Sequence, residues 1–201
     1  MENKPQLILI AGPNGAGKST LSERLIFRKI NIINPDVIAK ESFVSIIKAG
    51  KIAIEQRKEA LANKKSFAIE TTLAGSGEIE LMKDAKALGY KVNLVYVGIG
   101  SVSISNRRVK ERVSKGGHDV PSKDILRRYE RSVNNISKAF EIADRAYILD
   151  NTKKPMSLLY IKNERIEKQT KHILPKWAEK SIQDLKAIKR FKDRSRDDFG
   201  L

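Results

Sequence analysis

The stretch GPNGAGKST at positions 12–20 constrains the fold of this chain more than any other part of it. It matches G-x-x-x-x-G-K-[ST]. An apolar run at 6–11, which predicts a buried strand, precedes it, and its last residues begin a segment at 18–27 that predicts a helix. Glycines let the backbone curl so that successive N–H groups face one anion, and the helix adds its own free N–H groups. A chance glycine-rich turn is the alternative, but the full context predicts a nucleoside triphosphate site, with ATP as the ligand.

Different residues of this loop are predicted to bind the phosphates and the metal ion. Lys18 is predicted to place its charge on the β- and γ-phosphates, and the hydroxyl of Ser19 is a natural ligand for Mg²⁺. The predicted ATP contacts are Gly12, Pro13, Asn14, Gly15, Ala16, Gly17, Lys18, Ser19 and Thr20.

Short apolar segments alternate with longer charged and apolar segments along the chain, which predicts an α/β fold with a doubly wound parallel sheet. The predicted strands are 6–11, 31–34, 66–70, 91–99 and 145–150, with a terminal hairpin at 157–169. The predicted helices are 18–27, 38–63, 77–88, 102–115, 122–143 and 175–193. We expect a core domain at 1–170 and an appended basic helix at 171–201, whose apolar stripe contains Ala178, Ile182, Leu185 and Ile188.

Composition narrows the classes of protein. The absence of cysteine excludes disulfide scaffolds and thiolate chemistry, and it fits a cytoplasmic chain. No apolar stretch approaches the roughly 20 residues of a membrane-spanning helix, and no signal peptide pattern is present, so we expect no membrane partner. The net charge of +16 fits a partner rich in phosphate, either a nucleotide or a nucleic acid, or simply a soluble protein of a basic proteome.

The remaining motifs separate the classes of P-loop protein. The chain lacks the Leu-Ser-Gly-Gly-Gln signature of ABC ATPases and the Asn-Lys-x-Asp motif of GTPases. Its small size and its arginine-rich helices after the fourth strand favour a nucleotide or metabolite kinase.

Two carboxylates follow predicted strands, where parallel strands open onto one crevice. Asp36 could take the proton of an acceptor hydroxyl in line with the γ-phosphate, or it could cap a helix after Pro35. Glu70 could position the acceptor or bind the hydration shell of Mg²⁺, or it could cap a turn, and Thr72 offers a hydroxyl beside it. Their convergence with the phosphate loop favours the functional interpretations.

The third element is an arginine-rich helix–loop–helix at about 102–133. Arg108 and Arg112 share one helix face, Gly116 and Gly117 break the helix, and Arg128 lies on the returning arm. A lid of this kind would supply arginines to the transferring phosphate and exclude water. A solvated pair of basic helices is the alternative.

These motifs resemble, in order and over most of residues 6–150, the zeta-toxin family of P-loop kinases, in its short, stand-alone branch. The resemblance rests on positions 12–20, on Asn34-Pro-Asp36, on Glu70-Thr-Thr-Leu73, and on the segments 108–121 and 127–129.

The resemblance implies that Lys18, Arg108 and Arg112 neutralise the γ-phosphate, and that Asp36 is the base. It places Glu70 and Thr72 in the acceptor pocket, which we extend to His118 and Arg128. Characterised members phosphorylate a UDP-activated amino sugar on its 3′-hydroxyl, and some are restrained by a small antitoxin protein. The sugar-nucleotide branch carries an arginine where this chain has Ala74 and Gly75, so the acceptor stays open.

The first hypothesis is therefore a Mg·ATP-dependent small-molecule kinase. The alternative is a nucleic-acid-directed P-loop ATPase or polynucleotide kinase, which the net charge favours and for which weak non-specific nucleic-acid binding is expected. A third hypothesis is an interaction module that docks through the 171–201 helix.

Overall fold

The structure is a computed structural model of the 201-residue chain. It describes residues 4–24, 30–117, 119–153, 156–162, 165–170 and 173–184. Within these residues, a seven-stranded sheet has the order β2-β3-β1-β4-β5-β6-β7. The strands are β1 Gln6–Ala11, β2 Asn31–Ile33, β3 Phe67–Thr71, β4 Lys91–Gly98, β5 Arg145–Asp150, β6 Met156–Lys162 and β7 Arg165–Gln169.

The first five strands run parallel, and β6 and β7 complete the sheet as an antiparallel pair. The near-continuous apolar character of β1 follows from burial on both faces of a parallel sheet, where helices cover each side. In β4 half-buried and buried residues alternate until the last three positions, which are all buried. The predicted doubly wound α/β fold is confirmed. All the predicted strands are present, with bounds shifted by at most one residue in the parallel part.

The helices are α1 Lys18–Arg24, α2 Pro35–Glu41, α3 Ile46–Ala62, α4 Gly77–Ala87, α5 Val102–Val113, α6 Ser122–Asn134, α7 Ile136–Ile142 and a C-terminal α8 at 176–184. The predicted helix 38–63 is wrong as a single element. It divides because Phe43 has a left-handed φ of 53° and Ser45 caps a new helix by accepting a hydrogen bond from the Lys48 N–H. The predicted helix 122–143 likewise divides at Asn135.

The main core lies between the sheet and the helices on one of its faces, and α8 contributes to it. Ala178 and Ile182 are fully buried, and the indole of Trp177 packs on Tyr96 with ring centroids 5.8 Å apart. The predicted apolar stripe thus faces the domain at these positions, whereas Leu185 and Ile188 lie outside the described residues. None of the described helices is both long and apolar enough to cross a bilayer.

The two edges of the sheet are formed by unlike strands. β2 is only three residues long. β7 reads RIEKQ, and its side chains from Ile166 to Gln169 are exposed. The long apolar strands β1 and β4 lie inside the sheet, with neighbours on both sides.

Candidate active site

The loop between β1 and α1 follows a path that only glycine permits at its corners. Gly12, Gly15 and Gly17 have positive φ values of 143°, 70° and 92°. A Cβ on Gly12 would collide with the carbonyl oxygen of Val97, so the loop lies directly against β4. The loop ends at the first turn of α1, where N–H groups are free to bind an anion. This cradle fits the triphosphate of a nucleotide.

Lys18 folds back over this loop. Its ammonium donates to the carbonyl oxygens of Gly12 and Pro13 at 2.8 and 3.0 Å. Burial lowers the pKa of Lys18 to about 8, while the nearby carboxylate of Glu70 opposes the shift. Burial therefore disfavours the charged form of Lys18, and a phosphate group beside the ammonium would stabilise that charge.

Glu70 joins the end of β3 to α1. Its carboxylate accepts hydrogen bonds from the hydroxyls of Ser19 at 2.9 Å and Ser22 at 2.6 Å. Ser22 is a site residue that the sequence analysis missed, although it lies one helical turn after Ser19 and so shares its face. The hydroxyl and carboxylate oxygens beside the phosphate cradle are the hard donors that Mg²⁺ prefers, so these residues fit that ion.

Asp36 lies in the first turn of α2 and is exposed. The cap of that helix is Asn34, whose side-chain oxygen accepts from the Asp36 N–H at 2.9 Å, and Pro35 occupies the first helical position. The capping alternative for Asp36 is therefore wrong. Within the described residues its carboxylate has no hydrogen bond or ion pair, which leaves it available to a ligand.

A cavity of about 1200 Å³ brings several of the predicted residues together. Its polar lining includes Ser19, Ser22, Asn34, Asp36, Glu70 and Arg112. An apolar wall from α2, the turn after it and the start of α3 includes Val37, Phe43 and Ile46. Among the described lining residues, the carboxylates of Glu23, Asp36, Glu41 and Glu70 outnumber the cations of Lys40 and Arg112.

The two arginines of α5 take different positions. Arg112 lines the cavity, and its carbonyl oxygen accepts from the Gly117 N–H at 3.0 Å. A Cβ on Gly117 would lie 2.6 Å from Cγ of Arg112, so the glycine allows the turn to close over this side chain. Arg108 is not among the lining residues. Its guanidinium donates to the carbonyl oxygens of Gly15 at 3.3 Å and Thr152 at 3.1 Å.

The other three residues that were predicted to contact the substrate are not among the described residues that line the cavity. Thr72 follows β3 and Arg128 lies on α6, and neither lines the cavity. His118 lies outside the described residues. Their roles stay predictions.

The loop after β5 was also missed by the sequence analysis. The Asn151 side chain donates to the carbonyl oxygen of Ala16 at 2.8 Å, and a Cβ on Gly17 would lie 2.6 Å from the same amide nitrogen. The Asn151 N–H donates to the carbonyl oxygen of Gly98 at 2.8 Å. This loop therefore supports the phosphate loop from the β4 side of the sheet.

Known proteins resemble this chain in sequence and in fold. A family model described as zeta toxin matches residues 1–164. An uncharacterized protein of Haemophilus influenzae is 37% identical over 134 residues, which cover 64% of this chain and 94% of that protein. The solved structure of AvrRxo1-ORF1:-ORF2 with ATP has a TM-score of 0.69 at 14% identity, covering 83% of this chain and 61% of the solved chain.

A structure from the PezAT chromosomal toxin-antitoxin system of Streptococcus pneumoniae has a TM-score of 0.55 at 20% identity, covering 77% of this chain and 71% of that one. At these identities the solved structures show a shared fold. The chain spans about three fifths of the length of the AvrRxo1-ORF1:-ORF2 chain that it matches.

Proposed function

This chain belongs to the zeta toxin family, and from that premise we propose that it is an ATP-dependent phosphotransferase that phosphorylates a hydroxyl group of a small metabolite. The observation that carries the proposal is the cavity beside the phosphate loop, because Ser19, Glu70, Asp36 and Arg112 all line it. A nucleotide loop alone would serve many functions. A free carboxylate across a cavity from that loop is what transfer to an alcohol requires.

The groups in and around the cavity have separate tasks in this reaction. When bound, Mg·ATP supplies the γ-phosphoryl group and the charge that bridges the phosphates. The Ser19 hydroxyl and the Glu70 carboxylate would hold the metal ion, directly or through its water. Lys18 and Arg112 would neutralise the negative charge that develops on the transferring group. Arg108 was expected to share this task, which stays a prediction.

Asp36 would act on the acceptor. Its carboxylate would accept the hydroxyl proton as the acceptor oxygen forms its bond to the γ-phosphorus and the bond from that phosphorus to the leaving oxygen of ADP breaks. Asn34 holds the backbone of Asp36 in the first turn of α2 through the helix cap. Position matters because a general base must lie within hydrogen-bond reach of the proton that it takes.

The acceptor proposed first is a UDP-activated amino sugar, because that is what the family resemblance implies. The lining of the cavity favours a small molecule over a polynucleotide strand, since carboxylates outnumber cations among its described residues and a strand would bring a row of phosphates. The apolar wall at Val37, Phe43 and Ile46 would pack against a ring of the acceptor. By likeness to the PezAT system, a small antitoxin protein is proposed as a partner.

The experiment is transfer of labelled phosphate from ATP into a metabolite extract, with mass identification of the product, and with the UDP-amino sugar and a 5′-hydroxyl oligonucleotide as defined acceptors. Asp36→Asn should lower kcat by roughly 10²- to 10⁴-fold, the usual contribution of a general base, while ATP binding is retained. Glu41→Gln is the matched control, because it removes another carboxylate of α2 that lines the same cavity. Transfer by Asp36→Asn at the wild-type rate would show that the base is assigned wrongly.

A further inference from the structure

The C-terminal helix α8 places an indole ring against the carboxyl end of β4. Trp177 is the single tryptophan of the chain and is 7% exposed. A Cβ on Gly98, at the end of β4, would fall inside this ring, so the glycine and the indole fit one another. Residues 176–184 lie outside the segment 1–164 that matches the family model. The contact is therefore contributed by a part of the chain that the family model does not cover.

The indole N–H holds the end of β5. Nε1 of Trp177 donates to Oδ1 of Asp150 at 3.0 Å, and the hydroxyl of Thr152 donates to the same oxygen at 2.6 Å. Asp150 is itself buried, so loss of either donor would leave a buried carboxylate oxygen short of a partner. The start of the 150–152 loop is thus held from two sides.

The 150–152 loop is in turn connected to the phosphate loop by hydrogen bonds. Asn151 donates to the carbonyl oxygen of Ala16, and the Thr152 carbonyl oxygen accepts from the same Arg108 guanidinium that donates to Gly15. A continuous set of hydrogen bonds therefore leads from Trp177 to the backbone of the nucleotide loop.

The sheet order places this loop on the side of β1 opposite the acceptor cavity. Asp36 follows β2 and Glu70 lies near the end of β3, on one side of β1, whereas the 150–152 loop begins at the end of β5, on the other side. In the proposed reaction the γ-phosphate faces the acceptor cavity on the β3 side. The nucleoside end of ATP then extends toward the β4 and β5 side, where Arg108 and the 150–152 loop lie.

We propose that Trp177 is a positioning residue for the nucleoside end of the ATP site, acting through Asp150 and the 150–152 loop. This inference rests on the proposed binding of ATP. It gives α8 a part in the site: the helix fixes the wall against which the nucleoside packs, and it does so with one directional hydrogen bond in addition to apolar packing.

The test compares Trp177→Phe with Ile182→Ala. Trp177→Phe keeps an aromatic side chain at this position but removes the indole N–H together with the ring atoms that pack on Gly98. Thr152→Val, which removes the other donor to Asp150 and leaves this packing intact, is therefore its matched variant. We expect a Kd and a KM for ATP about two- to tenfold higher, the loss typical of one hydrogen bond, with kcat at saturating ATP unchanged. Ile182 is fully buried on the same helix. Ile182→Ala should lower the melting temperature without changing the Kd for ATP, which separates positioning from mere stability.

A second variant and a spectroscopic measurement complete the test. Thr152→Val removes the other donor to Asp150 and should weaken ATP binding in the same direction. Because Trp177 is the single tryptophan, titration of the wild-type protein with Mg·ATP should shift its fluorescence, and Lys18→Ala should abolish the shift. An unchanged Kd in Trp177→Phe, an equal loss in Ile182→Ala, or calorimetric binding of ATP with no fluorescence change would overturn the inference. Absence of ATP binding by the wild-type protein would instead refute the proposed function.

Discussion

The depressed pKa of Lys18 predicts that ATP binding depends on pH in a range where few other groups titrate. In the protein without nucleotide, burial lowers this pKa to about 8, Arg112 adds to the shift, and Glu70 and Asp36 oppose it. A triphosphate placed beside the ammonium would stabilise the charged form and raise the pKa again. Binding above pH 8 must therefore take up a proton.

The magnitude follows from the difference between the two pKa values. Below pH 8 Lys18 is charged both with and without ATP, so the affinity is constant. Between pH 8 and the higher pKa of the complex, the affinity falls by about tenfold for each pH unit, since one proton is bound on association. From pH 7 to pH 9 we expect a Kd about tenfold higher. The terminal phosphate titrates near pH ~6, so ATP itself exchanges no proton in this window.

Calorimetry from pH 7 to pH 9.5, in two buffers with different ionisation enthalpies, measures both the Kd and the proton uptake. Lys40→Met is the control, because it removes a lysine that lines the same cavity and should leave the pH dependence in place. A Kd that stays constant across this range, with no proton uptake at pH 9, would refute the reasoning about Lys18.

Two further predictions concern packing and the metal site. Gly98→Ala should destabilise the protein by about 1–3 kcal/mol in urea unfolding because the new methyl group overlaps the Trp177 ring, whereas Gly50→Ala, in the interior of α3 with no atom near the added Cβ, should stabilise it by about 0.5–1 kcal/mol. Ser22→Ala removes one of the two hydroxyls bound to Glu70 and should raise the Mg²⁺ concentration for half-maximal activity by about two- to tenfold, while an unchanged requirement would contradict a metal-binding role for Glu70.

The positions of the parallel strands along the chain and of the nucleotide loop were predictable because each depends on a local sequence pattern. A buried parallel strand needs an unbroken apolar run, and Pro5 and Gly12 bound the first one. The breaks between the helices were harder to predict from the sequence. No glycine or proline marks the turn at Phe43, and the end of α6 at Asn135 coincides with hydrogen bonds from its side chain to the carbonyl oxygens of Leu73 and Gly75, which are distant in sequence.

The side chains of the site were likewise only partly predictable from the sequence. Helical spacing placed Arg108 and Arg112 on one face, but it could not show that the carbonyl oxygens of Gly15 and Thr152 would bind Arg108 while Arg112 lines the cavity. The part played by Trp177 was hidden for a related reason. Periodicity predicts that Ala178 and Ile182 are buried, but the partner of the indole N–H is Asp150, at the end of a strand.

The edges of the sheet carry a consequence for the behaviour of the protein at high concentration. Unpaired strand edges recruit other chains, and long apolar edges are the most prone to aggregation. Here one edge is β2, which is too short to template a ladder, and the other is β7, where exposed Glu167 and Lys168 would have to lose water before a second strand could pair. The strands most able to seed fibrils, β1 and β4, are therefore shielded by their neighbours in the folded state.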